Sequence, residues 1–435
     1  MKLLLTADLH IGRSSSGVGS GLTREQCRAS QAWGRIVDLA LKNRVAAVCI
    51  GGDLIDKNNC FFEARGPISR GLRKLGQQGI RTIAVAGNHD YEVLRAVADS
   101  SKGDDFQLTL LGRDGVWEET TLESADGQKL RVFGWSFEST HHRSDPVLRF
   151  PALGEPHIPT LGIVHGDLGM AESDYAPLSL EQLQSKPVGG WLLGHIHQCK
   201  LHGAAGGPWV LYPGSPQALD PGEQGSHGVW IVDVANGQLE RPRFEPISSV
   251  RYEKPRIDVS SARDEGELNR LVLTGLQAEA SAAKKEGGEH LERYVADVQL
   301  VGTTAIGSLV RECAKRLQVQ LGEDGDIDGA VGVRVRSAMD GTSTELDLHE
   351  LAKGTSMPGL VAKLILTLSS TEGSDDARQL LKDASSAASA LGSKSKMLIG
   401  DTEVSYSLQE SDAREMLISA ARELLGTLTT EGKGI

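Results

Sequence analysis

The first ninety residues repeat one pattern of apolar and polar positions. An apolar run of β type leads into a polar turn, and a longer stretch with helical spacing follows. Residues 3–7 run into Asp8-Leu9-His10, residues 46–50 into Gly51-Gly52-Asp53, and residues 82–86 into Gly87-Asn88-His89-Asp90. Between the first two runs, Trp33, Ile36, Val37, Ala40 and Leu41 recur at three and one, as on one face of a helix. Strands alternating with helices predict βαβ units and a parallel sheet. In such sheets ligands bind beyond the carboxyl ends of the strands, where all three polar turns lie.

From about residue 129 the runs become shorter and closer together, at 130–135, 161–164, 190–193, 209–212 and 228–234, with Gly and Pro between them. They predict a second sheet packed on the first. After residue 250 a strand at 256–259, a helix at about 264–285, a turn at 285–288, a strand at 294–301 and a helix at about 304–318 predict a small α/β module. Beyond about residue 346 the pattern is mostly helical, broken at 373–376 and by a Ser/Ala/Gly/Lys-rich linker at 384–396. In the last helix Leu408, Ala413, Met416, Leu417, Ala420 and Leu424 fall close to one face, to be covered either by the chain's own domain or by a partner. The expected boundaries are therefore 1–250, 251–345 and 346–435.

Composition narrows the function classes. With 39% apolar and 24% charged residues, the 435-residue chain has the balance of a globular protein of two to three domains. No apolar run approaches the ~18 residues of a membrane span, so no membrane association is expected. Asp8 and His10 interrupt the apolar start before a signal-peptide core could form. The five cysteines include no C-x-x-C pair. Both features point to the reducing cytoplasm. The net charge is −12, with 24 basic against 28 acidic residues up to position 250 (−4) and 22 against 30 after it (−8). A polyanion bound here needs metal cations, a partner's basic surface, or local cations such as Arg13, Lys57 and Arg65.

The candidate chemistry lies at the strand ends. In Asp8-x-His10, one residue apart on an extended strand, both side chains would face one way and share a cation. Gly194-His195-Ile196-His197 repeats that spacing, and His165-Gly166 follows another apolar strand. With Asp53 and Asn88 there are seven nitrogen or oxygen ligands. Their mixture of imidazole and carboxylate suits Mn, Fe or Zn better than Ca or Mg. Any one of these motifs alone reads as a turn or a cap. Their joint occurrence, in order and each after an apolar run, does not. His141, His142, His157, His202, His227, His290 and His349 lack such settings and read as surface or packing residues.

Taken together, Asp8-x-His10, Gly52-Asp53-x-x-Asp56, Gly87-Asn88-His89-Asp90, His165-Gly166 and Gly194-His195-x-His197 resemble the calcineurin-like metallophosphoesterases over about residues 1–240. Asp8-Leu9-His10-Ile11-Gly12, Tyr175-Ala176-Pro177-Leu178-Ser179 and Tyr212-Pro213-Gly214-Ser215-Pro216 are similar to the SbcD and YhaO group of DNA repair exonucleases. The resemblance implies a two-sheet α/β/β/α sandwich, a small α/β capping domain that binds DNA, and a helical C-terminal region that docks an SbcC-like SMC-type ATPase. It also implies two divalent ions, Mn above all, with Fe or Zn as alternatives. One would be held by Asp8, His10, Asp53 and His197, the other by Asp53, Asn88, His165 and His195. His89 would be the general acid. Asp56 is where many family phosphatases place a carboxylate behind it; the recombination nucleases commonly have His there, and Asp90 competes for the role. The expected function is a Mn-dependent DNA exonuclease and endonuclease, with a second copy of the chain as a further candidate partner. A stand-alone metallophosphatase or cyclic-nucleotide phosphodiesterase is the alternative.

Overall fold

The computed structural model describes residues 1–56, 61–100, 108–153, 158–203, 207–323, 325–326, 331–344, 348–369, 378–379, 381–383 and 410–431. The breaks expected at 373–376 and 384–396 lie outside these residues. The chain forms two compact units, one from Met1–Pro255, Leu273–Gln299 and Lys315–Ala338, the other from Arg256–Val272, Leu300–Ala314 and Met339–Ile435.

In the first unit, β1 (Lys2–Thr6), β2 (Ala47–Ile50), β3 (Arg81–Ala84) and β4 (Leu108–Leu110) pair in parallel in sequence order. Helices α1 (Ala29–Asn43), α2 (Phe61–Gly76) and α3 (Tyr91–Ser100) link them. Side chains alternate across a strand, so each strand can serve two cores. Leu4, Val48 and Ile50 face the helices and pack with Trp33, Ile36, Val37, Ile68, Leu72 and Leu94. Leu3, Leu5, Cys49 and Ile83 point the other way. There they meet a second sheet of β5 (Glu118–Glu123), β6 (Lys129–Trp135), β7 (Thr160–His165), β8 (Gly190–Gly194), β9 (Lys200–His202) and β10 (Trp209–Tyr212), ordered β5-β6-β7-β8-β10-β9. Its inner face contributes Leu130, Val132, Leu161, Ile163, Leu192 and Leu211. Its outer face packs Trp135, Val164, Trp191 and Val210 against Leu183 of α4 (Leu180–Ser185). This is the expected α/β/β/α sandwich.

One strand changes sheet. The run at 228–234 was expected in the second sheet, but β11 (Gly228–Ala235) lies antiparallel beside β1, with Leu5 opposite Trp230. Val229 and Ile231 join the helix-side core while Val232 and Val234 join the inter-sheet core. Periodicity reveals two apolar faces without revealing which sheet they complete. β12 (Gln238–Leu239) and β13 (Arg243–Pro246) pair with β11.

The same unit holds β14 (Val250–Glu253). The chain then passes through β15 (Arg256–Asp258) and α5 (Glu265–Gly287), and β14 pairs in parallel with the start of β16 (Arg293–Thr304). α5 runs through three of the four residues expected to turn, and the left-handed φ of 69° falls only at Gly288. α6 (Gly307–Gln320) follows, then β17 (Gly325–Asp326), which pairs antiparallel with β18 (Gly332–Thr344), a strand not read from the sequence. In the second unit, α7 (Leu348–Leu351), α8 (Met357–Ser369) and α9 (Glu410–Glu431) pack through Val361, Ile365, Ala421 and Leu425. The face of α9 that packs carries Ile418, Ala421, Leu425 and Leu428, while Met416 and Leu424 of the expected stripe are exposed. No helix among the described residues is long and apolar enough to cross a membrane.

Candidate metal centre

The loops at the carboxyl ends of β1, β2, β3, β7 and β8 converge. β1 ends at Thr6, so Asp8 and His10 are not on an extended strand, and their common direction has another cause. Asp8 (φ 52°) and His10 (φ 46°) are both left-handed, as are Asp53 (φ 50°) and His195 (φ 99°). Non-glycine residues in that region carry about 1–3 kcal/mol of strain each and persist where the surroundings hold them, commonly at functional sites. The surroundings here are backbone hydrogen bonds. Asp8 N–H donates to the Gly52 carbonyl (3.1 Å) and His10 N–H to that of Asp53 (3.0 Å), zipping the first loop to the second. Two glycines admit the buried rings and carboxylates. A Cβ on Gly87 would lie 2.1 Å from Asp53 Oδ1, and one on Gly52 (φ 100°) 2.5 Å from His165 Nδ1.

Asp8, His10, Asp53, Asn88 and His165 are all buried. Among the described residues, these aspartates and histidines form with His89 and His197 three sets that can hold an ion, Asp8/His10/His197, His10/Asp53/His89 and Asp8/Asp53/His165, each with its ligand atoms within 4.8 Å of one another. Tautomers decide whether such a set attracts a proton or a cation. His165 Nδ1 lies 3.0 Å from the Gly51 carbonyl, which only accepts, so Nδ1 carries the hydrogen. Burial keeps the ring neutral by lowering its pKa. Nε2 then presents a lone pair to Asn88 Oδ1 at 3.1 Å and Asp53 Oδ2 at 3.4 Å. Three electron-rich atoms facing one another fit a divalent cation. His10 Nε2 likewise faces His197 Nε2 at 3.0 Å, and Asp53 Oδ2 at 3.8 Å.

The electrostatics follow from crowding. Burial, and then the charge of Asp53, push Asp8 up, against the pull of His197 and His10. Burial acts on Asp53 too, but His165, His10 and His89 outweigh it and hold that carboxylate below its ordinary value. One buried carboxylate stays ionised beside another that resists ionisation. His195 is lowered by burial and by His165; its backbone N–H donates to Asp8 Oδ1 (2.9 Å), and its Nε2 lies 3.3 Å from Asp167 Oδ1.

Asn88 and His89 diverge as adjacent residues should. Asn88 reaches His165, while the His89 ring stands edge-on to His10 with centroids 4.9 Å apart. His89 N–H donates to Asp53 Oδ1 (3.0 Å). Its Nδ1 is 4.0 Å from Asp56 Oδ1, which is also 3.5 Å from His10 Nδ1; neither ring nitrogen has a hydrogen-bond partner. Asp90 is occupied differently. Its oxygens accept from the backbone N–H groups of Leu54 (2.7 Å), Ile55 (3.2 Å) and Gly87 (2.9 Å). Of the two carboxylates considered as partners for His89, Asp56 is thus the one beside its ring, and Asp90 ties the second loop to the third. Burial and the Asp53 charge push Asp90 up to about 7, against those three donors. Asp90→Ala would leave the three donors buried and unsatisfied. At about 1–3 kcal/mol for a buried unpaired group, the variant should lose roughly 3 kcal/mol of unfolding free energy in urea. A loss under about 1 kcal/mol would contradict this tie.

Four residues near the site carried no readable signal or were set aside. Asp167 faces His195 and accepts from the Ser173 hydroxyl. Tyr175, within a quoted motif, stacks on the His195 ring with centroids 4.9 Å apart. Glu223 contacts His197, and His227, read as packing, is buried in the same network behind Ser215. Of the local cations, Arg13 pairs with Asp220, Arg65 lies exposed on α2, and Lys57 falls outside the described residues.

Residues 1–199 match the family model for calcineurin-like phosphoesterases. The uncharacterised metallophosphoesterase YhaO of Bacillus subtilis is 25% identical over 239 residues, 54% of this chain and 57% of that protein. The DNA double-strand break repair protein Mre11 of Methanopyrus kandleri is 24% identical over 379 residues, 80% of each chain. The SbcD component of the nuclease SbcCD of Escherichia coli K12 is 25% identical over 274 residues, 55% of this chain and 66% of that one. The chain therefore spans just over half the length of YhaO and about two thirds of SbcD. The matched residues 1–199 are the stretch in which the motifs resemble the calcineurin-like phosphoesterases, just under half of the chain.

Proposed function

We propose that the chain is a Mn-dependent phosphodiesterase that cuts DNA as an exonuclease and endonuclease, acting in the cytoplasm with an SbcC-like ATPase. Residues 251–345 would form a capping region over the DNA and residues 346–435 the ATPase docking region. The observation that carries the hydrolytic reading is the set of lone pairs around Asp53, where His165 Nε2, Asn88 Oδ1 and Asp53 Oδ2 face one another at 3.1 and 3.4 Å. The choice of a nuclease over a phosphatase rests on length. The match to Mre11 extends over 379 residues, well past the 199 of the phosphoesterase domain.

In this reading Asp8, His10, Asp53 and His197 hold one divalent ion, and Asp53, Asn88, His165 and His195 the other, with Asp53 shared. Such ions, when bound, polarise phosphoryl oxygens and lower the pKa of water. The chain's own residues do the rest. Buried Asp53, held ionised by the histidines around it, puts negative charge where cations gather, and the left-handed loops keep the ligands in place before substrate arrives. His89, a third exposed at its side chain, is placed to give a proton to the leaving oxygen of the cut strand. Burial lowers its pKa, and a lowered pKa makes the protonated ring the stronger donor. Asp56 beside it favours the protonated form.

Purified protein with Mn²⁺ should degrade linear DNA, EDTA should abolish this, and Mg²⁺ should substitute poorly, since imidazole-rich sites favour softer ions. Assays of linear DNA beside a generic phosphomonoester decide the class. Turnover of the monoester alone would replace the nuclease with a phosphatase.

A further inference from the structure

The loop that follows β10 has no role in the reaction as described, yet it holds His197 at two points. Ser215 N–H donates to the His197 carbonyl (2.9 Å). Gly214 makes that approach possible, because with φ at 75° its Cβ would sit 2.6 Å from the same carbonyl oxygen. The second hold is on the ring. His197 Nδ1 lies 2.7 Å from Glu223 Oε1. Glu223 is itself fixed, its Oε2 accepting from Leu219 N–H (2.7 Å) and from the Ser215 hydroxyl (3.1 Å). Ser215 is fixed in turn, its carbonyl accepting from His227 Nδ1 at 2.8 Å. Ser215 and His227 are both buried.

A carboxylate only accepts, so every partner of Glu223 must donate. In the neutral ring that puts the hydrogen of His197 on Nδ1 and leaves a lone pair on Nε2, the nitrogen that faces His10 Nε2 at 3.0 Å and belongs to the set of Asp8 and His10. We propose that the loop at 213–227 is a clamp that fixes the tautomer of His197 from behind, with Glu223 as its positioning residue, and so sets the strength of one cation position. Partners behind a ligating histidine commonly act this way. The proposal rests on the reading that Asp8, His10 and His197 receive a divalent ion.

Glutamine is a sharp probe because it has the same shape and only one acceptor end. If its carbonyl serves Leu219 N–H, its amide N–H₂ faces His197, which must then accept at Nδ1 and carry its hydrogen on Nε2. If it turns round, a donor faces the Leu219 donor. Glu223→Gln in the full chain should therefore weaken one of two Mn²⁺ sites by about 10- to 100-fold and leave the other unchanged. In the metal-free protein, at a pH high enough for the ring to be neutral, the ¹⁵N resonances of His197 should move from the Nδ1–H to the Nε2–H tautomer, a change that mere loosening of the loop would not produce. A folded variant with unchanged Mn²⁺ affinity, or with His197 still in the Nδ1–H form, overturns the proposal. Should Glu223→Gln not fold, Ser215→Ala keeps the carboxylate and removes one of its donors. It should retain the Nδ1–H form and weaken the same site by about fivefold, the worth of one hydrogen bond; unchanged affinity there also overturns the proposal. A wild-type chain that takes up no Mn²⁺ overturns the metal reading instead, and the tautomer of metal-free His197 still decides the role of Glu223.

Discussion

Asp53→Ala should lower Mn²⁺-dependent hydrolysis of a phosphodiester by about 10³-fold or more. Asp53 lies at the centre of the site. One of its oxygens is 3.4 Å from His165 Nε2 and 3.8 Å from His10 Nε2, and the other takes the N–H of His89 at 3.0 Å. It thus touches both proposed ligand groups and the proposed acid. Divalent ions supply several kcal/mol of transition-state charge stabilisation, and each 1.36 kcal/mol is tenfold in rate, so losing both costs at least three decades. Asp8→Ala should be milder, because the proposed assignment gives Asp8 to one position, although Asp8 also lies in the set of Asp53 and His165. Its exposure is nil, and its oxygens hold His195 N–H at 2.9 and 3.1 Å, so some loss at the second site follows through His195. Rates of the two variants, measured at saturating Mn²⁺, should therefore differ by at least tenfold. Equal rates would contradict the bridging role.

His89→Ala should leave metal content unchanged and lower turnover of DNA by about 10²- to 10⁴-fold, the usual effect of removing a general acid or base. Its ring lies beside that of His10 and is partly open to solvent. Its Nδ1 has no hydrogen-bond partner, it stands edge-on to His10, and it is the most exposed of the four histidines at 10, 89, 165 and 195. The competing role is real, since His89 also closes one of the three sets that can hold an ion. A leaving-group comparison separates the two. A nitrophenolate departs without a proton, so an acid's absence matters little for a nitrophenyl diester, whereas a missing ligand slows every substrate alike. A drop in metal content, or equal losses for good and poor leaving groups, would place His89 in the coordination shell.

Much of this was legible in the sequence because strand ends in α/β sheets concentrate polar residues after apolar runs. Asp8, Asp53, Asn88 and His165 each follow such a run, and the structure brings them within a few ångströms. The path by which they meet was not legible. The spacing of Asp8 and His10 suggested an extended strand, but two left-handed residues and hydrogen bonds to the next loop direct them, and those bonds are tertiary. Strand β11 was recognised as a strand but given to the wrong sheet, because its partner β1 lies more than two hundred residues away. Glu223 was invisible for a related reason. It sits in a polar loop with no periodicity, and its meaning comes only from the 2.7 Å contact with His197. His227 was set aside because nothing beside it in sequence suggested the Ser215 carbonyl it holds.

The most direct measurement of the central claim is metal content by elemental analysis of Mn²⁺-loaded chains after removal of free ion. Wild type should retain two ions per chain, Asp8→Ala about one, and Asp53→Ala none, in keeping with a site built around a shared carboxylate. Retention of the same number of ions by Asp53→Ala and wild type would contradict it.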